Sequence, residues 1–172
     1  STLIYVDAAA ETSGTGTADS PFKTIAEALN VAADGKIIVV RSGTYQVKNT
    51  QIQADITIKA DKGATVILDA ERGSRIFIIR SNVTLRDLTF INGDIGSNGG
   101  AIFDWGNLTL SNVKFYNCTA DDNGGAVYVY GGSGLTAVSC EFIDNKAYQG
   151  GAIYVEEDGT ANITNSKFIR ND

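Results

Sequence analysis

The chain contains no histidine. This removes the commonest general base near neutral pH and the commonest metal ligand. It holds no apolar run approaching the roughly 18 residues of a membrane-spanning helix. Basic residues are in deficit, 14 against 20 acidic ones, for a net charge of −6. That disfavours a nucleic-acid partner and leaves no polybasic patch for a membrane surface. Nothing resembling a leader precedes the strand-like Leu3-Ile-Tyr-Val6. The chain reads as a processed or excerpted segment, so no compartment follows from that absence.

Cysteine is scarce too, with only Cys118 and Cys140. Relative to the nearest repeat phenylalanines, Cys118 follows Phe115 by three positions and Cys140 precedes Phe142 by two. On neighbouring strands that is a five-position offset, which at roughly 3.3 Å per residue holds the sulfurs too far apart for a bridge. Two free thiols are expected, at least one of them buried.

What the sequence has in quantity is glycine, 19 residues against a single proline. With abundant Asn, Asp, Ser and Thr, this composition reads as many short strands joined by many turns. One phrase recurs: Phe90 to Phe103, Phe115 to Tyr128 and Phe142 to Tyr154 each run from a Phe to Gly-Gly-Ala-Ile/Val plus an aromatic. A fourth copy begins at Phe168 and stops at Asp172. The Gly-Gly pairs start at Gly99, Gly124 and Gly150, spaced 25 and 26 residues apart. A fixed period of this size is the signature of a solenoid.

The spacing predicts an all-β solenoid of about five coils of three parallel strands, capped by an N-terminal α-helix. One domain spans 1–172, with residues 1–35 as strand, loop and cap and 36–172 as coils. The cap is read from Thr24 and Glu27, a Thr-x-x-Glu capping box, followed by the apolar face Phe22, Ile25, Ala26, Leu29 and Ala33 and a stop at Asp34-Gly35. The first coil is assigned Ile37–Val40, Ile56–Ile58 and Val66–Leu68, with an insertion from Tyr45 to Ala54. The remaining coils take their strands from Ile76 to Phe90, Ala101 to Phe115, Ala126 to Phe142 and Ala152 to Phe168. Stacking in register predicts an internal ladder of Phe90, Phe115, Phe142 and Phe168 and a column of amides, Asn98, Asn123 and Gln149, before the glycines.

The whole chain resembles right-handed parallel β-helix proteins of the pectate-lyase-like superfamily. Tyr5-Val-Asp7, Ser20-Pro-Phe-Lys-Thr-Ile-Ala-Glu-Ala-Leu29 and Val39-Val-Arg-Ser-Gly-Thr-Tyr45 look like the opening coil and cap of that group. The Gly-Gly-Ala-Ile repeats and the Phe-x-x-Asn repeats Phe142-Ile-Asp-Asn145 and Phe168-Ile-Arg-Asn171 look like those of chlamydial polymorphic outer-membrane proteins. They also look like those of adhesin-like surface proteins of methanogenic archaea, and the cap fits the adhesin-like group better. The earlier copies carry Gly93 and Cys118 where the motif has Asn, which predicts a different corner there. The resemblance implies a cell-surface, extracellular, non-enzymatic role in attachment to a surface glycan or protein of another cell, without cofactors.

The same superfamily contains polysaccharide lyases and glycosidases, so a polysaccharide-active enzyme is the alternative, and a passive spacer a third reading. A chain without His cannot carry the Gly-His-Gly motif of the pectin-hydrolysing members. Asp121-Asp122 is an adjacent carboxylate pair within the repeats, and neighbours on one loop do not face each other across a glycosidic bond. Arg80 and Arg86 lie near strand ends with no acids gathered around them in sequence. Asp94, Asp121 and Asp122 offer oxygens for a calcium ion, but only one or two per corner. Asn82, Asn107, Asn117 and Asn162 head Asn-x-Ser/Thr sequons.

The strand after each Gly-Gly carries the candidate binding face. If Ile102 and its equivalents point inward, then Phe103, Trp105, Tyr128, Tyr130 and Tyr154 face outward in two columns, at the cost of placing Asp104 inside. Such a patch is either a ligand-binding face or an outer ladder of cross-strand aromatic pairs. Rings stacked in register hide their faces from a sugar, leaving the end rings and Trp105 free. The last repeat copy, without a following Gly-Gly, further suggests a piece of a longer solenoid whose final coil can associate end to end.

Overall fold

Parallel stacking at a fixed period organises the chain. The computed structural model describes residues 1–172 and shows three large parallel sheets and a two-stranded one, Asp94–Ile95 with Thr119–Ala120, at a corner. Sheet A has seven strands: Leu3–Val6, Ile37–Val40, Ile56–Ala60, Asn82–Arg86, Asn107–Ser111, Gly134–Val138 and Thr160–Thr164. Sheet B has six: Gly43–Gln46, Val66–Asp69, Leu88–Ile91, Lys114–Tyr116, Glu141–Ile143 and Lys167–Ile169. Sheet C has five: Thr50–Ile52, Phe77–Ile79, Ile102–Asp104, Val127–Val129 and Ile153–Val155. The chain visits A, B and C in turn, a right-handed parallel β-helix in which every strand pairs with its copy one coil away. Five coils contribute a strand to all three sheets, and Thr160–Thr164 and Lys167–Ile169 extend A and B once more.

The first coil differs from the sequence expectation. Tyr45 to Ala54 is not an insertion: Gly43–Gln46 and Thr50–Ile52 are strands of sheets B and C. The strand at Ile56 therefore opens the second coil. The inner positions Tyr45 and Ile52 are buried, and their polar neighbours Thr44, Gln46 and Gln51 face out. Tyr45 is held inside because its hydroxyl accepts from Ala8 N (2.9 Å) and donates to Arg41 O (2.8 Å).

The cap is a single helix, Ile25–Val31. Thr24 is its N-cap, accepting from Glu27 N (3.3 Å) and donating its hydroxyl to the Glu27 carboxylate (2.7 Å). The buried stripe is Ile25 and Ala28, with Leu29 and Ala32 partly covered. Ala26 and Ala33, expected on that stripe, are exposed and instead line a groove of about 670 Å³ between the helix and the first coil. The helix ends earlier than expected: Ala32 is already extended, and Gly35 (φ 88°) turns the chain into sheet A.

The phenylalanines stack as the period requires, with Phe90, Phe115 and Phe142 buried; Phe168, expected inside as well, is 48% exposed because no coil covers it. Centroid separations from Phe90 to Phe115, Phe142 and Phe168 are 5.0, 5.0 and 4.8 Å, with interplanar angles of 17°, 8° and 5°. The corners after them share one shape. Asn92, Asn117, Asp144 and Arg170 all adopt left-handed φ, between 50° and 58°. The Gly93 and Cys118 copies therefore bend as the Asn copies do, contrary to expectation, because the turn is made by the preceding residue. The motif Asn serves another need. Asn145 is buried, its Oδ1 accepts from Cys118 N (3.0 Å), and its Nδ2 donates to Phe115 O (3.2 Å) and to Asn171 Oδ1 (2.9 Å). Asn171 repeats the pattern, donating to Phe142 O (2.8 Å). Each Asn thus satisfies corner backbone groups that stacking removes from water. The amide column is present as well, with Asn98 Oδ1 accepting from Asn123 N (3.0 Å). In each Gly-Gly pair the first residue has φ of 63° to 73°. A Cβ on the second, at Gly100 or Gly125, would fall 2.0 Å from the carbonyl oxygen of the next coil. Cys118 and Cys140 are free and buried.

Replacing Asn145 by Leu strands the Cys118 N–H and the Phe115 carbonyl in the corner. A loss of about 2–4 kcal/mol in urea-unfolding free energy is expected. Asp121→Ala, at an exposed corner with no side-chain hydrogen bond, should stay within about 0.5 kcal/mol. Equal effects from the two variants would contradict the account of the corner.

Candidate functional site

Strand alternation decides which side chains sheet C offers to solvent. Ile102 and Val127 are buried in the core, so Phe103, Tyr128 and Tyr154 stand on the outer face in one register column with Gln51 and Ile78. One step past the strand ends, at the corner leading to sheet A, lies a second column: Arg80, Trp105, Tyr130 and Glu156. Its order is fixed by the backbone bonds Trp105 N to Ile79 O (2.8 Å), Tyr130 N to Asp104 O (2.9 Å) and Glu156 N to Val129 O (2.9 Å).

The five aromatic residues singled out from the sequence are brought together. Phe103 lies 4.9 Å from Tyr128, 5.7 Å from Trp105 and 6.1 Å from Tyr130. Trp105 lies 5.0 Å from Tyr130, and Tyr128 stacks on Tyr154 at 5.5 Å with an interplanar angle of 2°. Their accessibility is unequal. Trp105 (42%) and Tyr130 (37%) are exposed, whereas Tyr128 is 6% exposed and belongs to the packing. Trp105 does not present a free ring face either. Arg80 covers it at 4.1 Å from the centroid and Tyr130 flanks it on the next coil. The accessible surface is therefore ring edges, the Tyr130 hydroxyl, and charged groups at both ends.

Those charged groups are the part that sequence reasoning missed. Arg80 donates Nε to Gln51 Oε1 (2.9 Å) while lying on Trp105. Arg75 stacks over Phe103 at 5.3 Å and donates to Asn98 O (2.7 Å). Burial lowers its pKa. The Tyr128 hydroxyl donates to the Glu156 carboxylate, and burial followed by that carboxylate raises the Tyr128 pKa. The signal for Arg80 was its place in the Trp105 column, hidden because no Gly-Gly marks the coil it ends.

Beneath the patch sits Asp104, between Phe103 and Trp105 in sequence and pointing inward. It is fully buried. Its Oδ1 accepts from Gly106 N (3.0 Å), its Oδ2 has no partner, and its column neighbours are Ile79 and Val129. Burial pushes its pKa from 3.8 up to about 7, against the opposing Gly106 hydrogen bond.

The acids considered for catalysis or calcium are dispersed. Asp121 and Asp122 are exposed on a corner, and Asp94 pairs with Arg72 (3.3 Å). No three His, Cys, Asp or Glu side chains gather in a metal-binding arrangement. Arg86 ends a strand of sheet A, whereas Arg80 stands at the corner after the sheet C strand Phe77–Ile79. The four sequon asparagines are all exposed.

The Asp104 carboxyl fixes a pH dependence. Its folded-state pKa lies above the unfolded value, so the folded protein binds the extra proton between the two. Stability contributed by this group falls as pH rises from about 4 to about 7 and levels off above that, by a few kcal/mol in all. Asp104→Asn keeps the acceptor for Gly106 and should flatten the decline in urea melts taken across that range. Parallel curves for the two proteins would contradict this role.

A family model described as right-handed beta helix region matches residues 34–172. A solved structure of a rhamnogalacturonan lyase aligns with a TM-score of 0.68 at 17% identity, over 97% of this chain and 50% of that one. The chain thus spans half the length of that lyase, and at this identity the likeness is one of fold. No curated protein sequence matches. The three stacked sheets and the extent of the family match agree: the chain belongs to the right-handed beta helix family.

Proposed function

We propose that this β-helix is a non-catalytic attachment module of an extracellular cell surface, binding its partner through the corner of sheet C. The observation that supports this most is the exposed pair Trp105 and Tyr130, held between Arg80 and Glu156. Tyr, Trp and Arg are the residues that dominate protein recognition sites, because they give large contact area at low entropic cost. The rings present edges rather than faces, which favours a protein surface over a stacked sugar as partner. The adhesin-like repeats of the sequence point the same way.

A polysaccharide lyase is the second reading, carried by the likeness to the rhamnogalacturonan lyase fold. It calls for acids and a base converging on a groove. On the outer face of sheet C the only carboxylate of the two columns is Glu156, already bonded to the Tyr128 hydroxyl.

The test is binding of the purified chain to intact cells and to a glycan array, with Trp105→Ala/Tyr130→Ala as the variant. Binding is expected to fall at least about tenfold, with little change in melting temperature since both rings are exposed. Undiminished binding would sink the proposal. So would release of unsaturated sugar products from rhamnogalacturonan, read by ultraviolet absorbance.

A further inference from the structure

The corner column has a direction. From the second coil to the fifth it reads Arg80, Trp105, Tyr130, Glu156, one residue per coil. A cation stands at one end and an acid at the other. The acidic end is reinforced by the exposed Glu157 and Asp158. Read backwards, the column is its own complement: acid opposite cation, phenol opposite indole.

Resting on the reading that this corner is an interaction face, we propose that its partner is a second copy of the same chain, docked antiparallel. The two-fold axis passes between Trp105 and Tyr130. Arg80 of each copy then meets Glu156 of the other, and each indole meets a phenol. The contact is isologous and closes on itself, so it gives dimers and not fibres. Charge selects the orientation. A parallel pairing would set Arg80 on Arg80 and Glu156 on Glu156, whereas the antiparallel one pairs opposite signs at both ends. Both charged groups are already positioned, Arg80 by Trp105 and Gln51, Glu156 by the Tyr128 hydroxyl. Little side-chain freedom is left to lose on docking.

The face is small. Four coils about 4.8 Å apart make a strip roughly 15 Å long. At one or two side chains wide, a strip of that length covers well under the about 800 Å² per partner found in stable complexes. A single contact is therefore weak, and many copies displayed on a surface would act together. The antiparallel sense suits molecules that meet from two facing surfaces.

Analytical ultracentrifugation from about 1 μM to 1 mM tests this with the whole chain. The wild type is expected to dimerise within that range. Arg80→Glu and Glu156→Arg should each weaken dimerisation at least about tenfold. An equimolar mixture of the two variants should regain it to within about threefold, because every contact is then of opposite charge. Circular dichroism and melting curves establish that each variant is folded, and the mixture makes the test independent of small stability losses. A monomeric wild type at the highest concentration, or charge variants without effect, would overturn the proposal. So would a mixture that fails to recover, or self-association that survives Trp105→Ala/Tyr130→Ala, which would assign it to another surface such as the last coil. If the wild type stays monomeric while that double variant loses binding to cells, self-recognition fails and the attachment reading stands.

Discussion

Register between coils is the constraint on which everything else rests. Parallel pairing places each residue over its equivalent about 4.8 Å away, so every sequence choice is made once per coil and judged as a column. Inner columns must be apolar or fully hydrogen-bonded. The phenylalanine ladder meets the first condition and Asn145 with Asn171 the second. The Gly-Gly pairs answer the same constraint at the corner, where adjacent coil backbones come too close for any Cβ. Asp104 breaks the rule, with a buried carboxylate oxygen left without a partner directly beneath the exposed rings.

Register also explains what could be read in advance. The repeats were legible because Phe and Gly-Gly recur in every full copy, at positions that stacking constrains. The first coil was not, because Gly43-Thr-Tyr-Gln46 and Thr50-Gln-Ile52 carry none of those marks and hide one inward residue among polar neighbours. The corner shape was misjudged for a related reason. The Asn of Phe-x-x-Asn draws attention, but the bend belongs to the residue before it, where Asn, Asp and Arg all adopt positive φ. The helix was placed correctly and its face drawn slightly askew, because Ala26 and Ala33 border a groove rather than the core.

On the outer face, aromatic content was legible and accessibility was not. Alternation alone placed five aromatic residues together, but Tyr128 lies under its neighbours and Trp105 lies under Arg80. What remains open to a partner is a narrow column of alternating chemical character at one corner. In the proposed reading, that column recognises a surface of complementary charge.

Trp105 is the only tryptophan in the chain and stands in the middle of that column. Its fluorescence therefore reports on the corner alone. The most direct measurement is its emission maximum and acrylamide quenching as the concentration of the unmodified chain is raised through the range in which it associates, or as partner cells are added. If the corner is the working face, emission shifts to the blue and quenching falls in step with binding. Binding that leaves both unchanged would place recognition elsewhere on the solenoid and contradict the account.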